Sequence, residues 1–141
     1  APSNLKLELT ESMIVEDATS TSAMLSELRA LGVQVQIDDF GTGYSSLGYL
    51  QRLPIDTLKI DRTFVSRIGN NGSGAEIVQT IMALAHDLGM KVVAEGIETD
   101  EQLAKLQTME CEYGQGYFFT KPIDGQTAEA FLAKSLAMAK D

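Results

Sequence analysis

The sequence predicts an α/β fold in which parallel strands alternate with helices. Its 141 residues are 44% hydrophobic and 22% charged, a composition typical of one globular domain. Five short strand-like segments are separated by segments with helical periodicity. Successive strands begin about 30 residues apart, which is the length of a unit in which a helix connects two parallel strands. These observations predict parallel strands joined by right-handed crossovers.

The first two predicted strands have apolar residues at every second position. In the first strand, Lys6 and Glu8 occupy the face opposite the apolar residues. In the second strand, the corresponding polar face carries Gln34, Gln36 and Asp38. The five predicted strands cover residues 5–9, 33–38, 58–61, 91–95 and 116–119.

The predicted helices have clear start and stop signals. Two of them end at Gly32 and Gly89, natural positions for a left-handed C-terminal cap. A third begins at Thr99, which forms a capping box with Gln102. The remaining helices are a short one between the second and third strands and a last one near the C-terminus, over residues 47–50 and about 127–138.

Two architectures accommodate such a pattern, an open doubly wound sheet and a (β/α) barrel. Strands of an open sheet are usually apolar on both faces because helices cover both. Here several strands carry polar residues on one face, which is typical of a barrel interior near its catalytic end. A complete TIM-type barrel needs eight strands and roughly 250 residues. We therefore predict an incomplete (β/α) TIM-type barrel of about five parallel units, with residues 1–141 as the C-terminal portion of one domain.

The charge balance limits the classes of partner. The chain carries 11 Lys and Arg residues against 20 Asp and Glu residues, a net charge of −9. This balance argues against DNA, RNA and anionic membrane surfaces as partners. The single cysteine, Cys111, excludes an internal disulfide framework and favours a reducing compartment. Without an apolar run of membrane-spanning length, the expected location is the cytoplasm.

Charged and polar residues recur where the predicted strands end, which is where ligands bind in both architectures. Two carboxylates about 4 Å apart repel by about 4 kcal/mol at an effective dielectric constant near 20. Converging carboxylates therefore require a cation or bound protons. Hard divalent ions such as Mg²⁺ prefer oxygen ligands, and paired ions can activate water against phosphoesters. The strand-end residues are Glu8 with Glu11, Asp38 with Asp39, Lys59 with Asp61, Glu95 with Glu98, and Gln115.

Each of these residues also has a purely structural interpretation. A strand-end carboxylate often caps the following helix. The Asp38–Asp39 pair could shape a turn, and Lys59 with Asp61 could form a surface ion pair along one strand. His86 lies within a helical pattern, which favours a structural role. Cys111 has no histidine at metal-ligand spacing, so we interpret it as a buried small residue.

Several motifs together closely resemble one known family. The chain contains, in order, LELTES (7–12), DDFGTGYSSL (38–47), LKID (58–61), AEGIET (94–99), GQGY (114–117) and KP (121–122). This series resembles the later part of an EAL domain, the bacterial cyclic di-GMP phosphodiesterase, over residues 5–123. The resemblance implies a (β/α) barrel that hydrolyses one phosphodiester bond of cyclic di-GMP to linear pGpG. It also implies Mg²⁺ or Mn²⁺ as cofactor, with two ions in the complete site, and a homodimer.

The resemblance further implies roles for individual residues. Glu8 and Asp38 correspond to metal ligands, and Asp39 helps to hold a second ion. Glu95 corresponds to the general base, and Lys59 to the catalytic lysine beside the attacking water. The supporting residues are Asp61 and Gln115 near the catalytic groups, Glu11 as the anchor of the loop after Asp39, and Glu98 beside the site.

The sequence also departs from the family pattern. The Glu-Ala-Leu triplet and the early asparagine that completes the metal shell are absent, because both precede residue 5 in the family. We therefore expect the 141-residue chain alone to be inactive. The alternative is a truncated or non-catalytic EAL module that binds cyclic di-GMP or mediates dimerisation.

Overall fold

The computed structural model describes residues 1–10, 13, 18–41, 47–69 and 73–138. A single parallel sheet with the strand order β1-β2-β3-β4-β5 forms the centre of the fold. This arrangement confirms the predicted α/β class. The strands are β1 (Lys6–Thr10), β2 (Gln34–Phe40), β3 (Thr57–Ile60), β4 (Lys91–Glu95) and β5 (Tyr113–Gln115).

Helices connect the strands, as predicted. A 3₁₀ turn, Pro2–Asn4, precedes β1. Within the described ranges, no helix has the length and hydrophobicity needed to cross a lipid bilayer. The helices are α1 (Ala18–Ala30), α2 (Leu47–Leu50), α3 (Arg62–Val65), α4 (Ser73–Asp87), α5 (Asp100–Thr108) and α6 (Gly125–Met138).

The helix boundaries follow the local signals in the sequence. Gly32 and Gly89 have φ angles of 90° and 73°, the left-handed conformation expected after α1 and α4. At the start of α5, the Thr99 side chain accepts a hydrogen bond from the Gln102 N–H. The Gln102 side chain in turn accepts one from the Thr99 N–H, which completes the predicted capping box.

The position of the last strand differs from the prediction. The other four strands lie within about two residues of their expected positions, but residues 116–119 form a turn and β5 is Tyr113–Gln115. A Cβ atom at position 116 would lie 2.1 Å from the Ile97 carbonyl oxygen, so glycine allows two backbone segments to touch there. The Phe118 N–H donates to that same oxygen, at 2.9 Å. Tertiary packing therefore overrides the β propensity of this aromatic segment.

The two faces of the sheet are chemically different. Helices cover the apolar face, whose fully buried side chains include Val35, Leu58 and Val92. Val78, Met82 and Ala85 of α4 belong to the same core. The opposite face carries the polar residues of each strand, since successive side chains in a strand alternate between faces.

The sheet curves around its polar face. The Lys6 ammonium nitrogen on β1 lies 5.5 Å from the centroid of the Tyr113 ring on β5, although these strands form opposite edges of the sheet. In a flat sheet the two strands would be about 19 Å apart, because neighbours are spaced by about 4.8 Å. Such curvature is that of a barrel wall and not of an open doubly wound sheet.

Candidate active site

Lys59 lies at the centre of a cluster of carboxylates on the polar face. Its side chain is only 7% exposed, and the four residues of β3 are all buried. The ammonium nitrogen is 2.7 Å from Glu95 Oε1, 2.9 Å from Asp38 Oδ1 and 3.0 Å from Glu8 Oε1. These carboxylates belong to three different strands, so the tertiary structure brings together residues that are far apart in sequence. We refer to Lys59, Glu8, Asp38 and Glu95 as the lysine cluster.

The register of the sheet explains how the cluster assembles. Glu8 pairs with Gln36 across β1 and β2, and Thr10 with Asp38. The Gln36 amide donates a hydrogen bond of 2.6 Å to Glu8 Oε1 and orients that carboxylate. Gln36 is buried, yet the prediction assigned it no individual role. Its position on the same strand face as Asp38 is the signal in the sequence that could have identified it.

The electrostatics of the cluster depend on the charge of Lys59. Burial by itself lowers the pKa of a lysine, but the hydrogen bonds to Glu95, Asp38 and Glu8 outweigh burial and raise the pKa of Lys59. The ammonium group is therefore charged throughout the physiological pH range. Three carboxylates and one ammonium give the cluster a formal charge of −2, which favours additional cations.

Asp38 and Asp39 both contribute to the site because the strand loses its regular alternation there. Asp39 has a positive φ angle of 54°, which aspartate tolerates better than most residues. The pairing of β2 with β3 also shifts register between Ile37 and Phe40. Consecutive side chains would otherwise point to opposite faces of the sheet. The irregularity therefore allows adjacent aspartates to serve one site.

Three carboxylates have the arrangement of a metal site. Asp38, Asp39 and Glu95 each offer an oxygen, and these oxygens lie within 4.8 Å of one another. A set made only of carboxylate oxygens fits a hard divalent cation such as Mg²⁺ or Mn²⁺. The predicted ligand Glu8 is not in this group. Its side chain is 48% exposed and contacts Lys59 and Gln36.

Asp61 has the helix-capping arrangement considered as an alternative for strand-end carboxylates. Its Oδ1 accepts hydrogen bonds from the Thr63 N–H at 2.9 Å and from the Thr63 hydroxyl at 2.6 Å, so it caps α3. Its burial raises its pKa, but these bonds outweigh the burial and lower it. Within the described part of the chain, the ion pairs of Lys59 go to the lysine cluster and not to Asp61, so the surface-pair hypothesis is wrong.

The remaining predicted residues lie beside the cluster or outside the described ranges. Gln115 pairs in register with Glu95, and both line a cavity of about 200 Å³ together with Glu98. Arg62 also lines this cavity, although the prediction did not single it out. Its position directly after the strand-end residue Asp61 was the available signal. Glu11 lies outside the described residues, as do positions 42–46 of the loop after Asp39.

His86 and Cys111 lie away from the lysine cluster. His86 Nε2 is 3.2 Å from Glu112 Oε1, and Glu112 Oε2 accepts a hydrogen bond from the Val92 N–H near the start of β4. Cys111 Sγ lies 3.3 Å from the Tyr113 carbonyl oxygen, and burial raises the pKa of its thiol. These contacts agree with a structural role for His86, whereas Cys111 is only partly buried, against the edge of the core, and not buried as predicted.

Comparison with known proteins identifies relatives over nearly the whole chain. The cyclic di-GMP phosphodiesterase NbdA of Pseudomonas aeruginosa is 50% identical over 128 residues, which cover 91% of this chain and 16% of NbdA. The cyclic di-GMP complex of PaMucR phosphodiesterase has a TM-score of 0.85 at 45% identity, covering 90% of this chain and 51% of that one. The chain thus spans about a sixth of NbdA and half of the PaMucR chain.

A further solved structure contains both a metal and a nucleotide. The manganese and cyclic di-GMP complex of Klebsiella pneumoniae BlrP1 has a TM-score of 0.77 at 36% identity, covering 86% of this chain and 31% of that one. The family model for the EAL domain matches residues 1–122. This chain therefore belongs to the EAL domain family.

Proposed function

We propose that this chain forms the later portion of an EAL barrel, residues 1–141, and supplies most of the catalytic groups of a cyclic di-GMP phosphodiesterase. The reaction is hydrolysis of one phosphodiester bond to give linear pGpG. The observation that carries the proposal is the lysine cluster, with Asp39 beside it, at the carboxyl ends of four parallel strands. NbdA is a named cyclic di-GMP phosphodiesterase at 50% identity, which supports the same substrate here.

Asp38, Asp39 and Glu95 would hold a divalent cation, and Glu8 would join them in a complete site that holds two ions, Mg²⁺ or Mn²⁺. When bound, such a cation polarises a phosphoryl oxygen and lowers the pKa of a water molecule. The charges support this assignment. Each phosphodiester of cyclic di-GMP carries a negative charge, and the lysine cluster alone would repel it.

The protein side chains divide the remaining work. Glu95 accepts the proton of the attacking water as general base. Lys59 lies 2.7 Å from Glu95, where its ammonium can orient that water and stabilise negative charge on the phosphoryl group. Gln115 and Glu98 line the adjacent cavity and position the nucleotide. Asp61 supports the site by capping α3 directly after the lysine-bearing strand, and we assign Glu11 to anchoring the loop after Asp39.

The test is an activity assay on the full-length encoded protein and not on these 141 residues alone, which we expect to be inactive. Incubation with cyclic di-GMP and either Mg²⁺ or Mn²⁺ should yield pGpG, measured by ion-pair chromatography, and EDTA should abolish the product. Asp38→Asn should abolish it as well. The matched control is Asp87→Asn, since Asp87 is exposed at the end of α4. Absence of pGpG from a folded, metal-loaded sample would contradict the proposal.

A non-catalytic module is the second candidate, and one observation favours it. Within the described residues, β1 and β5 each pair with one neighbouring strand, so both edges of the sheet are open. The exposed side chains of Tyr117, Phe119 and Ile123 follow β5. Such edges and apolar side chains favour association with a second chain. This candidate predicts cyclic di-GMP binding without turnover and a homodimer by sedimentation equilibrium, whereas turnover would exclude it.

A further inference from the structure

The lysine cluster and the candidate metal ligands share two residues. Asp38 and Glu95 each form an ion pair with Lys59, and each also belongs to the group of three carboxylates that could hold a metal. The same two carboxylates therefore have two possible cationic partners. One is the lysine ammonium, which is part of the chain, and the other is a divalent ion from solution.

The donors of Lys59 are fully used in this arrangement. An ammonium group has three N–H donors and no acceptor. The three carboxylate oxygens at 2.7, 2.9 and 3.0 Å occupy all three donors. The side chain is also almost completely buried. While these bonds persist, Lys59 has no donor left for a water molecule or for a phosphoryl oxygen.

We propose that Lys59 is an exchangeable internal cation, which holds Glu8, Asp38 and Glu95 together until a divalent ion takes over Asp38 and Glu95. The exchange frees at least one N–H donor of Lys59, which then faces the substrate. The inference rests on the proposed metal site. It adds that the lysine competes with the metal and that metal binding is the event that makes the lysine available.

Competition has a direct consequence for metal affinity. A divalent ion that binds Asp38 and Glu95 must break two short ion pairs and must also approach a positive charge. Replacing Lys59 by the uncharged residue methionine removes both costs. It also removes the only cation that the described structure places within the cluster, so mutual repulsion of the carboxylates should destabilise the metal-free protein.

The first experiment measures Mn²⁺ affinity by isothermal titration calorimetry on the protein as encoded. Lys59→Met should bind Mn²⁺ about tenfold more tightly than wild type, which corresponds to about 1.4 kcal/mol. Lys91→Met is the matched control. Lys91 lies on the same face of the sheet at its other end, over the Tyr113 ring, and its substitution should leave the affinity unchanged. Unchanged or weaker binding by Lys59→Met would overturn the proposal.

Thermal melting gives a second readout on the same variants. Metal-free Lys59→Met should melt below wild type, and saturating Mn²⁺ should raise its melting temperature by more than it raises that of wild type. Equal stabilisation of the two proteins by Mn²⁺ would count against exchange.

A measurement on the wild-type protein covers the case in which Lys59→Met does not fold. Acylation of lysines by acetic anhydride, followed by peptide mass spectrometry, reports whether an amine is bound and buried. Saturating Mn²⁺ should increase the labelling of Lys59 and leave that of Lys91 unchanged. Constant labelling of Lys59 at Mn²⁺ saturation would overturn the exchange.

The outcomes separate this inference from the proposed function. Tighter Mn²⁺ binding by Lys59→Met, together with no hydrolysis by wild type, would support the exchange and contradict the catalytic proposal. Normal hydrolysis by wild type, together with unchanged Mn²⁺ affinity in Lys59→Met, would support the catalytic proposal and contradict the exchange.

Discussion

The two ends of the curved sheet use the same residue types in opposite ways. At the carboxyl ends of the strands, Lys59 is buried and forms ion pairs with three carboxylates. At the amino ends, Lys6 and Lys91 lie over the Tyr113 ring, at 5.5 and 5.7 Å from its centroid. Carboxylates at that end accept hydrogen bonds from backbone N–H groups and do not pair with a lysine. Strands begin there, and the N–H groups near their first residues need acceptors.

Two hydrogen bonds define the amino end. Asp56 Oδ2 accepts from the Val35 N–H at 2.9 Å, and Glu112 Oε2 accepts from the Val92 N–H at the same distance. Each carboxylate there satisfies a backbone donor and also contacts a basic side chain, the Arg29 guanidinium or the His86 imidazole. The difference shows that carboxylates with backbone partners stabilise the fold, whereas carboxylates that share one buried cation form a site with capacity for further cations.

The largest expected effect tests the carboxyl end. Glu95→Gln removes the proposed base and a metal ligand, and should reduce pGpG formation by about 10³-fold, within the range for loss of a general base. The melting temperature should change little, since glutamine can still accept a hydrogen bond from Lys59. The measurement is initial rate at saturating metal.

Glu129→Gln on α6 is the control for Glu95→Gln, since Glu129 is exposed. Its rate should equal that of wild type. Retention of more than a tenth of the wild-type rate by Glu95→Gln would assign the base to another group.

The next largest effect concerns the backbone packing beside the carboxyl end. Gly116→Ala places a methyl group 2.1 Å from the Ile97 carbonyl oxygen, and backbone cannot yield as a flexible side chain can. We expect a loss of about 3 kcal/mol in the free energy of unfolding, measured by urea denaturation. At Gly125 nothing lies within 4 Å of an added Cβ, so Gly125→Ala should be neutral or stabilising. Equal stability of the Gly116→Ala and Gly125→Ala variants would show that the backbone segments at Ile97 and position 116 can move apart without loss of stability.

A smaller effect is expected at the amino end. Glu112→Ala leaves the Val92 N–H without its carboxylate partner, which should lower the free energy of unfolding by about 1 kcal/mol. Catalytic rate per folded molecule should not change, because Glu112 contacts no member of the lysine cluster among its described hydrogen bonds. Urea denaturation and the pGpG assay together check this outcome. A loss of rate without a loss of stability would contradict the division between the two ends.

The smallest effect is a pH dependence at the amino end. Burial raises the pKa of Glu112, but the hydrogen bond from Val92 and the contact with His86 outweigh burial and lower the pKa below its ordinary value of 4.5. A lowered pKa in the folded state means that the stabilisation is present above pH 4.5 and is lost as pH falls through the folded-state pKa. Melting temperatures measured between pH 6 and pH 3 should therefore fall less steeply for Glu112→Gln than for wild type. Parallel curves would remove Glu112 as a source of acid sensitivity.

Much of the fold could be predicted because its signals are local. Alternation at every second residue located β1 and β2, short strand-like segments located β3 and β4, and glycines with left-handed geometry marked the ends of α1 and α4. The fifth strand was misplaced because residues 116–119 have strand-like composition, while contact of Gly116 with the Ile97 backbone places them in a turn. Contacts of this kind leave no periodic signal in the sequence.

The candidate site was predicted as a set of residue types, and the tertiary structure distinguished among them. Asp38, Lys59 and Glu95 meet as expected, while Asp61 caps a helix and Gln36 orients Glu8. In the sequence alone, a strand-end carboxylate that binds a cation and one that caps a helix look alike. Which of the two roles a carboxylate has depends on the side chains that neighbouring strands place beside it.

The sequence by itself determined the α/β class, the acidic residues at the strand ends and the motifs that identify the EAL family. These features depend on short-range patterns and on residue identity. Only the tertiary structure decided that one lysine binds three carboxylates. Lys59 and Glu8 are 51 residues apart, and strand register and the curvature of the sheet bring their side chains to 3.0 Å. The irregular strand geometry at Asp39 likewise accompanies a register shift between β2 and β3. Geometry of this kind arises from pairing between distant segments, which no local pattern encodes.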